Sequence, residues 1–267
     1  MALRTRGREK NRTGTMPLAA HLRELRKRLF RSALGILAGA VVGWLLSEPL
    51  LHAMSAPIAS ITAVEGRQSS LNFTNINEAF ELRMQIAITV GFVVSAPIWL
   101  YQVAAFFMPG LSGKEKRFAL GFVLTAVPLF LAGCAAGWFV LPNMVHVLAS
   151  FAPADTTSVI SARTYYDFVL KLVVIVGVAF VVPVLLVMLN LAGLLSATSI
   201  LKSWRIALLV IALFTAIATP PSDVMSMFML AVPMVALFYA AALIAWVHDR
   251  RQKKKLDRYE AEFMAAI

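Results

Sequence analysis

Two acids stand inside basic clusters of this 267-residue chain. Glu24 lies within His21-Leu22-Arg23-Glu24-Leu25-Arg26-Lys27-Arg28-Leu29, and Glu115 lies among Lys114, Lys116 and Arg117. Cations alone suffice to hold a chain against anionic lipid, and an acid among them weakens that attraction. Glu24 therefore reads either as a site for a cationic partner or as the local i,i+4 partner of Arg28. Two such carboxylates at one membrane face suit a pair of adjacent arginines, because a carboxylate accepts a guanidinium through two parallel hydrogen bonds.

Little else in the chain suggests chemistry. His21, His52, His146 and His248 are scattered without metal-ligand spacing, and HExxH, GxSxG and phosphate-loop patterns are absent. The lone Cys134 makes neither an internal disulfide nor a metal site. No apolar run carries a carboxylate well inside it, which argues against the proton or ion path of a transporter. The expectation is a protein that binds rather than catalyses, with no metal and no cofactor.

The elements that position these residues are membrane helices. The chain is 60% hydrophobic and 15% charged, too apolar for a wetted globular surface. Its net charge of +11 would suit nucleic acid only if gathered on one folded face, whereas the cations cluster toward the ends. Runs near 29–47, 82–106, 118–142, 168–190, 204–218 and 224–246 are predicted to span a bilayer, which asks for about 20 apolar residues each. The fifth has 15 residues and reaches only about 23 Å at ~1.5 Å per residue. Thr219-Pro220-Pro221-Ser222-Asp223 between the last two runs predicts a tight helical hairpin. The stretches 48–81 and 143–167 read as loops with amphipathic pieces folded over the membrane surface. Asn75, Asn77 and Glu78 read as the polar start of the second helix.

Lysine and arginine resist translocation, so their distribution sets orientation. The segments from Arg4 to Arg31, Lys114 to Arg117, Lys202 to Arg205 and Arg250 to Arg258 hold 21 of the 25, leaving Arg67, Arg83, Arg163 and Lys171 for the other side. Both termini are expected in the cytoplasm, with the first helix uncleaved. Three parts follow: a basic N-terminal segment 1–28, a membrane domain 29–246 and a basic tail 247–267. Gly35, Gly39 and Gly43 on the first span, and Gly133 and Gly137 on the third, predict close helix packing within the chain. Pro97, Pro128, Pro183 and Pro233 predict bent helices enclosing a concave surface.

The stretch from His21 to Leu29 resembles the N-terminal signature of the TatC family of twin-arginine protein translocases. Further matches follow in order: Ser55-Ala56-Pro57, Glu78-Ala79-Phe80, Ser95-Ala96-Pro97, Tyr101-Gln102, Phe106, Pro109, Leu111, Glu115, Val182-Pro183, Thr219-Pro220-Pro221 and Pro233. The resemblance runs from about Pro17 to Trp246. It implies an all-α, glove-like arrangement of six transmembrane helices, the last two short, in the bacterial inner membrane. It further implies a receptor for the twin-arginine signal peptides of folded precursors, with Glu24 and Glu115 as the main acidic contacts and Arg26 and Phe106 beside them. Pro57 matches a periplasmic-loop proline, Pro220 and Pro221 the periplasmic hairpin, and Asp223 is a further periplasmic candidate. TatA-like and TatB-like single-span partners are expected along spans five and six of an oligomeric complex, with transport driven by the protonmotive force, membrane lipid around it and no nucleic acid bound.

The chain departs from that pattern at two places. Relatives often carry a glutamate where Val181 stands and an acid where Tyr239 stands, so intramembrane polar contacts of that kind are not expected here. A secondary transporter of small solutes is the first rival, but no inverted repeat or buried polar pathway supports it. An intramembrane enzyme is the second, but the spans carry no paired carboxylates, Ser/His pair or metal motif. A membrane scaffold is the third, and it is distinguished by whether Glu24 and Glu115 matter for binding.

Overall fold

The structure, a computed structural model, describes residues 18–65, 69–107, 113–150, 158–191, 193–219 and 224–265. Helices dominate: α1 (Leu18–Glu65), α2 (Glu78–Val94), α3 (Ala96–Phe107), α4 (Gly113–Ser150), α5 (Ala162–Leu191), α6 (Ala197–Lys202), α7 (Trp204–Ala218) and α8 (Val224–Ala265), with two short strands, β1 (Ser69–Asn72) and β2 (Ser158–Ser161). By length and composition α1, α4, α5 and α8 can each cross a membrane, the bent pair α2 and α3 makes a fifth candidate, and α7 is a shorter apolar helix of 15 residues. Each of the six apolar runs falls in one of these six units. Leu45, Phe139, Leu209 and Ile217 are among many large apolar side chains that face outward, as hydrocarbon in place of water requires.

The helices touch through glycine. A Cβ at Gly39 would lie 2.7 Å from the Gly91 carbonyl oxygen, and one at Gly91 would lie 2.6 Å from the Ile36 carbonyl oxygen, so the α1 and α2 backbones are in direct contact. Gly43 meets the Ala87 backbone in the same seam. Between α4 and α5, Gly133 faces Gly177, and a Cβ at Gly177 would lie 2.5 Å from Cys134 Sγ. Small residues permit this approach where apolar burial offers no drive toward association. The packing expected of both glycine stripes is thus observed inside the chain, and Cys134 is a buried packing residue.

Pro97 breaks one span. Between α2 and α3 the axis turns by 58°. A proline has no N–H to give to the carbonyl four residues before it and crowds that turn. The Trp99 indole N–H donates to the Phe92 carbonyl at 3.0 Å, and the two rings stack at 4.7 Å. Pro128, Pro183 and Pro233, by contrast, sit inside unbroken helices.

The loop expected from residue 48 is corrected. α1 continues through Pro49 and Pro57 to Glu65, so Pro57 is a helical residue and not a loop proline. Tertiary packing holds the extension. Met54 and Ile58 are buried in a core with Leu82, Ile86, Leu141 and Met144, and the Tyr165 hydroxyl donates to the Met54 carbonyl at 2.8 Å, beside the turn that Pro57 disrupts. α4 likewise runs past Pro142 to Ser150, burying Met144 and Val145. β1 and β2 pair in parallel, Ser69 with Ser158 through Asn72 with Ser161, tying the chain after α1 to the chain before α5.

At the start of α2, Asn77 occupies the N-cap but its side chain makes no capping bond. Buried Glu78 instead ties down the turn before the helix, accepting from Thr74 N–H at 2.8 Å and from the Asn75 amide at 3.0 Å. The last helix also extends further than its apolar run, continuing unbroken from Trp246 through the basic tail to Ala265. A second core lies among α3, α4 and α5, around Leu100, Phe122, Phe130 and Val184. Pro220, Pro221 and Asp223 lie outside the described residues.

Candidate functional site

Helical periodicity brings His21, Glu24 and Arg28 to one face of α1, and these three are half-buried while the residues between them are exposed. That face meets α3. Arg28 donates through Nε at 3.0 Å and Nη2 at 2.5 Å to Glu24 Oε1, and its Nη1 donates to Gln102 Oε1 at 3.4 Å. The His21 ring stacks on Phe106 with centroids 4.5 Å apart and planes 27° from parallel. One carboxylate, one guanidinium, one amide and two rings thus form a continuous strip between the start of α1 and the end of α3.

The side chains of Glu24 and Arg28 keep 25% and 18% of their surface exposed. The pair is therefore reachable from solvent yet desolvated enough for charge-assisted bonds to count. Beside it, Arg23, Lys27 and Arg31 line a shallow hollow with Glu24 and Arg28. A second hollow lies around Arg23, Arg26, Lys27 and Phe30. Arg26 belongs to this second hollow, on a different side of α1 from Glu24. Glu115 falls in the first turn of α4, and its side chain lies outside the described residues.

Glu24 and Phe106 are therefore brought onto one strip, and Arg26 is set apart from it. Two participants were hidden from spacing alone. Gln102 and His21 acquire roles only because α3 folds against α1, across 74 positions in one contact and 85 in the other. The available signal was limited to the i,i+4 relation of Glu24 and Arg28.

The sequence matches the family model for TatC, the Sec-independent protein translocase protein, over residues 20–233. The chain belongs to the TatC family. It is 44% identical over 240 residues to the Sec-independent protein translocase protein TatC of Xylanimonas cellulosilytica, covering 90% of this chain and 87% of that protein. The TatC of Rothia mucilaginosa is 36% identical over 254 residues, covering 95% of this chain and 87% of its own. In structure, the fold matches a crystal structure of the twin arginine translocase receptor TatC with a TM-score of 0.69 at 28% identity, covering 85% of this chain and 98% of that one. A second crystal structure of that receptor, in the detergent DDM, matches with a TM-score of 0.71 at 28% identity over 84% and 99% of the two chains.

The match to the TatC family takes in Glu24, Arg26, Phe106 and Glu115 and stops before the basic end of α8. Against the TatC pattern, Val181 is buried at 4% exposure in the α3, α4 and α5 core. A carboxylate there would be desolvated among apolar side chains, which is costly without a partner. Tyr239, the other departure, is exposed on α8 and makes an edge contact with Phe238 at 5.5 Å.

Proposed function

We propose that this chain is the receptor subunit of a twin-arginine translocase, and that its α1, α3 and α4 ends bind the paired arginines of signal peptides on folded precursors. The observation that carries this reading is the Glu24 carboxylate, half-buried and already holding a guanidinium, that of Arg28, through two nitrogens. A pocket that accepts one guanidinium in this way has the shape and polarity for another. Glu115 supplies the second carboxylate and Phe106 flanks the peptide, with Arg26 outside that strip. The distribution of 21 of 25 cations supports an N-in, C-in orientation of six spans in the bacterial inner membrane.

TatA-like and TatB-like single-span helices dock along α7 and α8. Leu209, Leu213 and Ile217 of α7 are exposed along one side, and an apolar groove of about 370 Å³ lies among α5, α7 and α8, lined by Val178, Val210, Phe214 and Phe238. The absence of a nucleotide-binding pattern in the sequence fits transport energised by the membrane gradient.

A second reading has a specific observation in its favour. If the Glu24–Arg28 pair only stabilises the start of α1, the chain is a scaffold for other membrane helices. Crosslinking of a twin-arginine signal peptide in membranes, with an arginine-to-lysine peptide as control, separates the two. The receptor reading expects crosslinking to fall in Glu24→Ala and in Glu115→Ala and to depend on both peptide arginines. Unchanged crosslinking in the double variant supports the scaffold.

A further inference from the structure

We infer that the groove enclosed by α4, α5 and α8 is a binding site for one anionic phospholipid, with an acyl chain inside it and the phosphate at its basic mouth. The groove has a volume of about 470 Å³ and is lined almost wholly by apolar side chains, among them Leu129, Val184, Met188, Leu237 and Ile244. That volume lies within the usual range for small-molecule sites, and an apolar lining with few polar groups selects hydrocarbon. Gly121 stands on its wall, and a Cβ built there meets nothing within 4 Å. A side chain at that position thus has room beside the groove, unlike one at the tight seams of Gly91 and Gly177.

One end of the groove is marked by charge. The lining face of α8 passes through Leu237, Ala241 and Ile244, and the same helical register continues to His248, Arg251 and Lys255. Arg251 and Lys255 are exposed and form no ion pair among the described residues. The headgroup level is marked by Trp246, whose ring carries the Arg250 guanidinium at 5.1 Å, since tryptophan settles at the membrane–water boundary. The α8 face that lines the apolar channel thus carries cations just beyond it, which matches the form of a phospholipid with net negative charge. A neutral peptide or partner helix would fill the channel without using them.

The experiment compares lipid retained by the full-length protein after purification in mild detergent from nanodiscs of phosphatidylglycerol and phosphatidylcholine in equal amounts, read by native mass spectrometry. Wild type is expected to retain phosphatidylglycerol in preference to phosphatidylcholine. Gly121→Phe, which fills the groove from a position with room for the side chain, is expected to lose the retained lipid. Arg251→Gln with Lys255→Gln, both on the exposed surface, is expected to lower the preference by about fivefold for each cation removed, the worth of one basic residue beside an anionic headgroup. Equal retention of the two lipids by wild type overturns the inference, as does undiminished retention by a folded Gly121→Phe protein. Loss of signal-peptide crosslinking in Gly121→Phe with lipid retention unchanged assigns the groove to the peptide instead and overturns it equally.

Discussion

In the receptor reading proposed above, Arg28 competes for the carboxylate that a signal-peptide arginine would use. Its two bonds to Glu24 both end on Oε1 and its third reaches Gln102, so in that reading the peptide displaces or shares the internal guanidinium. Hydrogen bonds to charged groups are worth roughly 1.5–3 kcal/mol each. Glu24→Gln should therefore weaken a labelled twin-arginine peptide by about tenfold or more, whereas Arg28→Gln should tighten it by releasing the carboxylate. Fluorescence anisotropy in nanodiscs measures both, and equal weakening by the two substitutions would mean that the pair acts as a unit. Glu24 and Glu115 were visible as candidates from charge pattern alone, because an acid among cations is conspicuous in any sequence, and Arg28 only as the local i,i+4 partner of Glu24. His21 was not, since a histidine gains meaning here only from the ring of Phe106 stacked against it.

Among the helices, glycine position decides how closely each pair approaches. Gly91 is clasped by the backbone of α1, while Gly121 borders open space. Gly91→Ala should thus destabilise the protein by about 1–3 kcal/mol, the usual cost of overpacking. Gly121→Ala should be neutral or slightly stabilising, as expected for a glycine inside a helix. Thermal unfolding of both variants in the same detergent tests the contrast, and similar losses would refute this account of the seam. The glycine stripes were legible because a four-residue repeat on a helix is a one-dimensional pattern. The extension of α1 past Pro49 and Pro57 was not, because local propensity favours a break and only the burial of Met54 and Ile58, with the Tyr165 hydroxyl, reverses it.

Across the whole molecule, one polar cluster fixes the end of α8 to the connection after α5. Asn190, 2% exposed, donates to the Leu195 carbonyl at 2.8 Å and to Asp249 Oδ1 at 2.9 Å, and Asp249 Oδ2 accepts the Ala197 N–H at 2.7 Å. The carboxylate sits at the start of α6, where exposed N–H groups favour negative charge. Asp249→Ala removes the shared acceptor and should leave Asn190 and the first turn of α6 under-bonded. Faster amide exchange at 197–202 and quicker trypsin cleavage at 250–258 are expected, by about tenfold or more for a lost charged bond. Exchange and cleavage at wild-type rates would show that packing alone holds the tail.

By itself the sequence determined the helical class, the six apolar runs, the two acids within basic clusters and the family, since composition, period and ordered motifs are properties of the chain read in one dimension. Tertiary structure decided which prolines break a helix and which are carried through. It also decided that the segments after α1 and before α5 meet as a parallel pair, that Glu78 binds the turn before α2, and that Gln102 and His21 join Glu24. Each of these depends on a partner distant in sequence, and the free energy that settles it appears only when both surfaces are buried together.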